Sequence, residues 1–292
     1  MVSDKTKRSV SRETDEALPR PISTRTIVVA NQKGGVGKTT TAVNIASALE
    51  RGGLSVLLMD LDPQGNASTA LGIEHRSGAL GTYEVLLQHT PIVDVAQQSP
   101  ESPNLMVVPA TIDLAAAEIE LVPQVAREQR LKKSLGRHLA AHDVDYVIFD
   151  CPPSLGLLTL NALVAASEIL IPIQCEYYAL EGVTQLTRTI QLVREELNPD
   201  LELSTVLLTM FDARTRLSTQ VGQEVRNHFP DQTLVTLIPR SVRLSEAPSY
   251  GMTILGYDPA SVGAKAYLKA SREIAERGAG LVATPARRGG HG

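Results

Sequence analysis

The stretch Val28–Thr41, VVANQKGGVGKTTT, constrains this chain more than any other. An apolar run ends at Asn31, glycines follow at 34, 35 and 37, and a helical pattern opens at Lys38. Strand, glycine loop and helix in that order are the setting of a phosphate loop. Glycines let backbone N–H groups converge on phosphate oxygens, and the helix N-terminus adds its positive end. The usual pattern, G-x-x-x-x-G-K-[ST], is met at Gly37, Lys38 and Thr39, but Gln32 stands where its first glycine belongs. A second cation, Lys33, comes next. Lys38 is expected to reach the β- and γ-phosphates of a bound nucleotide and the Thr39 hydroxyl to ligate Mg²⁺. Gly34, Gly35, Val36 and Thr40 complete the cradle.

Seven short runs are apolar on both faces: TIVVAN, LSVLLMD, LMVVPA, DYVIFD, EILIPI, LSTVLLTM and TLVTLIP. Runs of that kind are parallel strands covered by helices on both sides. Amphipathic stretches alternate with them: TTTAVNIASALERG, DLAAAEIELV, VTQLTRTIQLVREEL and TQVGQEVRNHF. The fold class expected is α/β, a doubly wound and mostly parallel sheet with helices on both faces. Gly52-Gly53 is expected to cap the first helix. Residues 1–24 mix charge with Ser, Thr and Pro and read as a disordered tail. Residues 25–277 read as a single domain, and 278–292 as a second flexible tail.

Ligands of doubly wound sheets bind outside the carboxyl ends of the strands. The second run ends in DLDPQGN, with Asp60 and Asp62 one strand period apart. Asp62 opens the loop towards the phosphates and is a candidate to orient water or Mg²⁺. Asp60 is a candidate for the same work, or else a loop cap. The run DYVIFD places Asp150 where a Walker-B carboxylate would hold Mg²⁺. The strand ends at Met210 and Pro239 are where adenine contacts are expected.

Composition narrows the class. The chain has only two cysteines, Cys151 and Cys175, which suit buried thiols in a reducing compartment better than a disulfide scaffold. No apolar run is long enough to span a bilayer, and the N-terminus lacks the apolar stretch of a signal peptide. The net charge of −4 is unevenly spread: Met210–Gly292 holds 11 Lys and Arg against 7 Asp and Glu, which leaves the rest at −8. A basic third can present a local positive patch on an acidic chain. Aromatic residues are 3% with no Trp, which argues against stacking on single-stranded bases.

KGGVGKTT, DLDPQGN and DCPPSLG together resemble the deviant Walker A ATPases, the family of ParA, MinD and the nitrogenase iron protein. Within it, LTMFDARTRLS, IPRSVRLSEAPSYG and YDPASVGAKAYLKASREIA are similar to the chromosomal ParA/Soj partition ATPases, over roughly Thr26 to Arg277. The resemblance implies that Lys33 is the signature lysine, which reaches the phosphates bound by the partner subunit of an ATP-dependent homodimer. It implies hydrolysis that is slow until a ParB-type centromere-binding protein stimulates it. It also implies non-specific binding of the ATP dimer to double-stranded DNA, in the cytoplasm on the nucleoid. Phosphate contacts need Arg and Lys. The candidates are Arg214, Arg240 and Arg243, with Arg216, Lys265 and Lys269 behind them.

Other readings of the same family motifs make different demands. A MinD-like membrane switch needs a C-terminal amphipathic helix with bulky apolar residues, where this chain has GAGLVATPARRGGHG. A nitrogenase-type reductase needs two cysteines per subunit placed to share a cluster. A scaffold with a degraded site would lack some of Lys33, Lys38, Thr39, Asp62 and Asp150, all of which are present.

Overall fold

A computed structural model describes residues 17–176 and 179–280. Its centre is one seven-stranded sheet: β1 (Arg25–Val29), β2 (Val56–Asp60), β3 (Gln97–Ser99), β4 (Ser102–Val108), β5 (Tyr146–Asp150), β6 (Glu168–Gln174) and β7 (Glu202–Thr209), in the order β3-β4-β2-β5-β1-β6-β7. All neighbours are parallel except β3 and β4. Side chains alternate across the sheet, and in β1, β2 and β5 both faces are buried, whereas β3 and β4 at the edge keep exposed residues. In β5, Val147 and Phe149 join one core while Tyr146 and Ile148 join the other. Helices close over both sides, as parallel strands require.

Six of the seven expected strands form. The seventh, TLVTLIP, runs beside β7 and bonds it at Val206 and Leu208, but it makes isolated bridges, Val206 with Thr233 and Phe211 with Pro239, in place of a continuous ladder. The cause lies in the last helix, Val262–Gly278. Its Glu273 carboxylate accepts the Val235 N–H at 2.8 Å and the Thr236 N–H at 3.2 Å; the Thr236 donor, which lies between the Leu234 and Ile238 N–H groups that bond β7, is thereby lost to the ladder. Conversely, β3 is a short polar edge strand with no apolar pattern to announce it.

The domain limits also shift. Residues 17–24, expected in the tail, lie on the domain. Leu18 is buried and its N–H donates to the Gly52 carbonyl at 2.9 Å, and Thr24 Oγ1 donates to the Val144 carbonyl at 2.8 Å. The last helix extends one residue past the expected limit, to Gly278. The rest of both expected tails, residues 1–16 and 281–292, falls outside the described residues.

The first helix, Lys38–Arg51, ends as the glycine pair suggests. Gly53 is left-handed at φ 87°, its N–H bonds the Glu50 carbonyl at 2.8 Å, and the Leu54 N–H bonds the Leu49 carbonyl at 3.3 Å. That is a Schellman closure, which needs a residue free to adopt positive φ.

Candidate functional site

Three neighbouring strands deliver the site. β1 lies beside β5, and β5 beside β2; Val29 and Asp60 are both register partners of Asp150. The loop after β1 therefore stands above the ends of the two strands that carry the carboxylates.

Gly35 and Gly37 are left-handed, at φ 73° and 88°, which side chains rarely tolerate. A Cβ at 34, 35 or 37 would meet nothing within 4 Å, so open space lies beside the loop at all three glycines. Both ends of the loop are tied down. Asn31 is buried; its Nδ2 donates to the Pro172 carbonyl of β6 at 2.8 Å and its Oδ1 accepts the Lys33 N–H at 3.0 Å. Thr209, at the end of β7, donates from Oγ1 to the Val36 carbonyl at 2.9 Å. Neither tie was expected from the sequence, although Asn31 sits at the strand–loop junction, where a side chain can bond its own backbone two residues on.

The two lysines point different ways. Lys38 is only 7% exposed, and its Nζ donates back to the Lys33 carbonyl at 3.2 Å. Burial lowers its pKa, while the nearby Asp150 and Asp62 partly restore it. The Lys33 side chain is 37% exposed and lies outside the loop, 3.5 Å from Glu176 Oε2. Glu176 was not among the expected site residues. Its apolar-flanked position after β6 carries no motif.

The carboxylates divide the work. Asp60 is fully buried and satisfied: Oδ1 accepts the Asp62 N–H at 3.1 Å, and Oδ2 accepts the Ser68 N–H at 2.9 Å and the Ser68 hydroxyl at 2.8 Å. It is the loop cap of the two roles open to it. Burial pushes its pKa up to about 7, against the Ser68 bonds. Asp62 bonds the Gln64 N–H at 3.0 Å. Asp150 is fully buried, and neither of its carboxylate oxygens has a hydrogen-bond partner. Burial first, then the Asp60 charge, push its pKa well above the ordinary range; the nearby Thr39 hydroxyl and Lys38 pull the other way. The Thr39 hydroxyl makes no well-formed hydrogen bond to Asp150.

An orphaned buried carboxylate is costly, and a divalent cation resolves it. Mg²⁺ is bound by one or two carboxylates together with substrate phosphates and water. Asp150, Thr39 and Asp62 under an open glycine loop fit that pattern. Among the described residues no group of three or more His, Cys, Asp or Glu is placed to hold a metal by itself. Cys151 and Cys175 are buried free thiols with raised pKa values, Cys175 to about 11, chiefly through burial.

Met210 and Pro239 come close together at the expected adenine end, through the Phe211–Pro239 bridge. Met210 is held left-handed at φ 51°, which costs a non-glycine residue on the order of 1 kcal/mol. The candidate DNA contacts are less uniform than expected. Arg214 is 89% exposed but chelated by Asp212, with bonds of 2.9 and 2.8 Å. Arg243 lies 3.3 Å from Glu246 and 3.8 Å from Asp258. Arg240, Arg216, Lys265 and Lys269 are exposed. Among the described residues no helix is long and apolar enough to cross a membrane.

A glycine loop of this shape over an unpartnered carboxylate, on adjacent parallel strands, is the arrangement of P-loop nucleoside triphosphatases, and fold and site together place the chain in that class. A family model described as an AAA domain matches residues 24–203. The sporulation initiation inhibitor protein Soj of Bacillus subtilis is 53% identical over 252 residues, which are 86% of this chain and 98% of that protein. The chromosome partitioning protein ParA of Myxococcus xanthus is 54% identical over 253 residues, 87% of this chain and 88% of that protein. A cobyrinic acid a,c-diamide synthase from Mycobacterium smegmatis, solved with a bound ATP analogue and magnesium, superposes with a TM-score of 0.75 at 39% identity, covering 87% of this chain and 95% of that one. The chain belongs to the ParA/Soj family of chromosome-partitioning ATPases.

Proposed function

We propose that this partitioning ATPase is a switch in which bound ATP assembles a homodimer, the dimer holds double-stranded DNA without sequence preference, and hydrolysis stimulated by a ParB-type partner releases it. It would work in the cytoplasm, on the nucleoid. The nucleotide and DNA contacts of this reading all fall within residues 25–277; residues 17–24 and Gly278 pack on that unit without entering the catalytic machinery.

ATP would lie in the glycine loop, its phosphates facing the N–H groups of Gly34–Thr40 and the Lys38 ammonium, with adenine towards Met210 and Pro239. Thr39, Asp62 and Asp150 would hold Mg²⁺, which when bound neutralises charge on the phosphates. Asp62, tied only by its turn to Gln64, is free to orient the attacking water. Lys33 supplies a second cation from the partner protomer, as an arginine finger does.

The observation that supports this reading best is the opposite orientation of the two lysines. Lys38 turns into the fold, whereas Lys33 stands outside the loop with a half-exposed partner, Glu176. A lysine there is accessible to a second protomer, and a bound nucleotide then becomes part of the interface. Arg240, Arg214 and Arg243 supply phosphate contacts. Doubling them in a dimer makes a weak monomer surface useful at physiological salt.

Size-exclusion chromatography and duplex co-sedimentation with ATP, ADP and no nucleotide test the reading. The parent is expected to dimerise and to sediment with unrelated DNA only in ATP. Lys33→Ala should bind ATP through Lys38 yet stay monomeric. A normal dimer peak from Lys33→Ala, or equal DNA binding in ADP, would overturn it.

A further inference from the structure

The segment that bears Arg243 touches the nucleotide site from two sides. On one side stands Asn44 of the helix Lys38–Arg51, one turn beyond Thr40 and buried. Its Nδ2 donates to the Thr40 carbonyl at 2.7 Å, and its Oδ1 accepts the Ile254 N–H at 2.9 Å. Ile254 opens the short helix Ile254–Tyr257, so this N–H has no partner within its own helix. The other end of that helix is Tyr257. Arg243 Nη1 donates to the Tyr257 hydroxyl at 3.3 Å, and the guanidinium carbon lies 5.8 Å from the ring centroid. The Tyr250 ring stacks on Tyr257 at 4.9 Å.

On the other side, Gly251 meets Gly72, backbone against backbone. A Cβ added at Gly72 would lie 3.1 Å from the Gly251 carbonyl oxygen. Gly72 follows the helix Asn66–Ala70, which hangs from Asp60 through Ser68. The phosphate-loop helix and the Asp60–Asp62 loop thus both bear on one strip of chain, residues 247–257.

We propose that Asn44 is a positioning residue that couples the phosphate loop to the Arg243–Tyr257 platform, and so makes DNA affinity depend on the nucleotide. The proposal rests on the DNA-binding reading above. Both ends of the Asn44 amide are committed inside a buried site. A shift of the first turn of its helix, where Thr40 lies, therefore either moves Ile254 or breaks a buried hydrogen bond. Moving Ile254 turns the Tyr257 ring on which Arg243 rests. The Thr41 hydroxyl, 3.3 Å from the Tyr267 hydroxyl in the core, ties the same turn to the last helix as well. A side chain that merely capped Ile254 would affect all nucleotide states alike, so the distinction is measurable.

The test uses the full chain, with ATP affinity, duplex affinity in ATP, ADP and no nucleotide, and hydrogen exchange of the peptide covering residues 252–258. In the parent, Mg-ATP should slow exchange there relative to ADP. Asn44→Ala should bind ATP like the parent, lose that nucleotide difference, and bind duplex about 10-fold more weakly in ATP only. Retention of the exchange difference in Asn44→Ala overturns the proposal, as does an equal loss of DNA affinity in every nucleotide state. Should the parent itself fail to bind duplex in ATP, the DNA reading falls, and exchange alone decides the coupling by the same criterion. Tyr257→Phe removes one hydroxyl near the surface and serves if Asn44→Ala does not fold. Parental duplex affinity in that variant overturns the platform.

Discussion

The two ends of one sheet treat buried ionisable groups in opposite ways. At the amino end, Arg25 of β1 and Glu168 of β6 are 11% and 16% exposed and cancel each other through two bonds of 2.6 Å. Arg25 Nη1 also reaches the Ile274 carbonyl at 2.6 Å and the Tyr146 hydroxyl at 3.4 Å. Burial would raise the Glu168 pKa, but the Arg25 bonds and charge outweigh it and leave the value lowered. At the carboxyl end, Asp150 of β5 faces its register partner Asp60 of β2, and its own oxygens bond nothing. A buried charge satisfied within the chain ties elements together. A buried acid left without partners is the mark of a site completed by a ligand.

The largest effect expected from breaking this contrast is at the satisfied end. Arg25→Ala strands Glu168 in the interior and should lower stability by about 3–5 kcal/mol in denaturant titration. ATP affinity of the folded variant should be unchanged. A loss below about 1 kcal/mol would mean that the pair is an ordinary surface one.

At the other end, Asp62→Ala should cut phosphate release on the order of 100-fold while ATP still binds and stability barely moves. Parental turnover would remove Asp62 from the water-orienting role.

The pH dependence of the two ends should be opposite in sign. Glu168 is lowered below its ordinary value of 4.5, so its contribution is present above that pH and is lost as pH falls through the folded pKa. Asp60 is raised from 3.8 to about 7, and Asp150 is raised too, so the folded state retains protons that the unfolded chain has released. That end therefore loses stability as pH rises from about 4 to 7. Asp150→Asn, measured without nucleotide, should raise the melting temperature by several degrees at pH 8, less at pH 5, and abolish Mg-dependent turnover. A variant that melts below the parent at pH 8 would show that Asp150 stabilises the free fold.

The smallest effect should come from the N-terminal segment. Removing residues 1–16 is expected to leave stability and hydrolysis unchanged. Removing residues 1–21 takes Leu18 from its place against Gly52 and should cost about 2 kcal/mol of stability. Equal melting curves for the two truncations would show that Leu18 contributes nothing.

Legibility in the sequence followed the range of the interaction. Six strands, the first helix and its Gly53 closure could be read because hydrophobic period and glycine freedom act within a few residues. TLVTLIP was read as a strand because its apolar content matches one. The competing acceptor, Glu273, is 38 and 37 residues away from the two N–H groups it captures. The lysines and carboxylates of the site were legible as types at spacings, since phosphate chemistry demands them there. Their division of labour was not: Asp60 and Asp62 are two residues apart, and only Ser68 makes one of them a cap. Likewise Arg214 and Arg243 were legible as candidate phosphate contacts, but their acidic neighbours Asp212, Glu246 and Asp258 could not be assigned to them from the sequence.

By itself, the sequence determined the class of fold and the existence of a phosphate site, because strand, glycine loop and helix are consecutive and need no distant partner to be recognised. The tertiary structure alone decided that Asp150 is stranded beside Asp60, that Lys38 turns inward while Lys33 turns out to Glu176, and that Asn44 reaches Ile254 across 210 residues of chain. Burial and pairing set the protonation and orientation of each of these groups. Both depend on which strands and helices become neighbours, and a linear pattern does not encode that for any single residue.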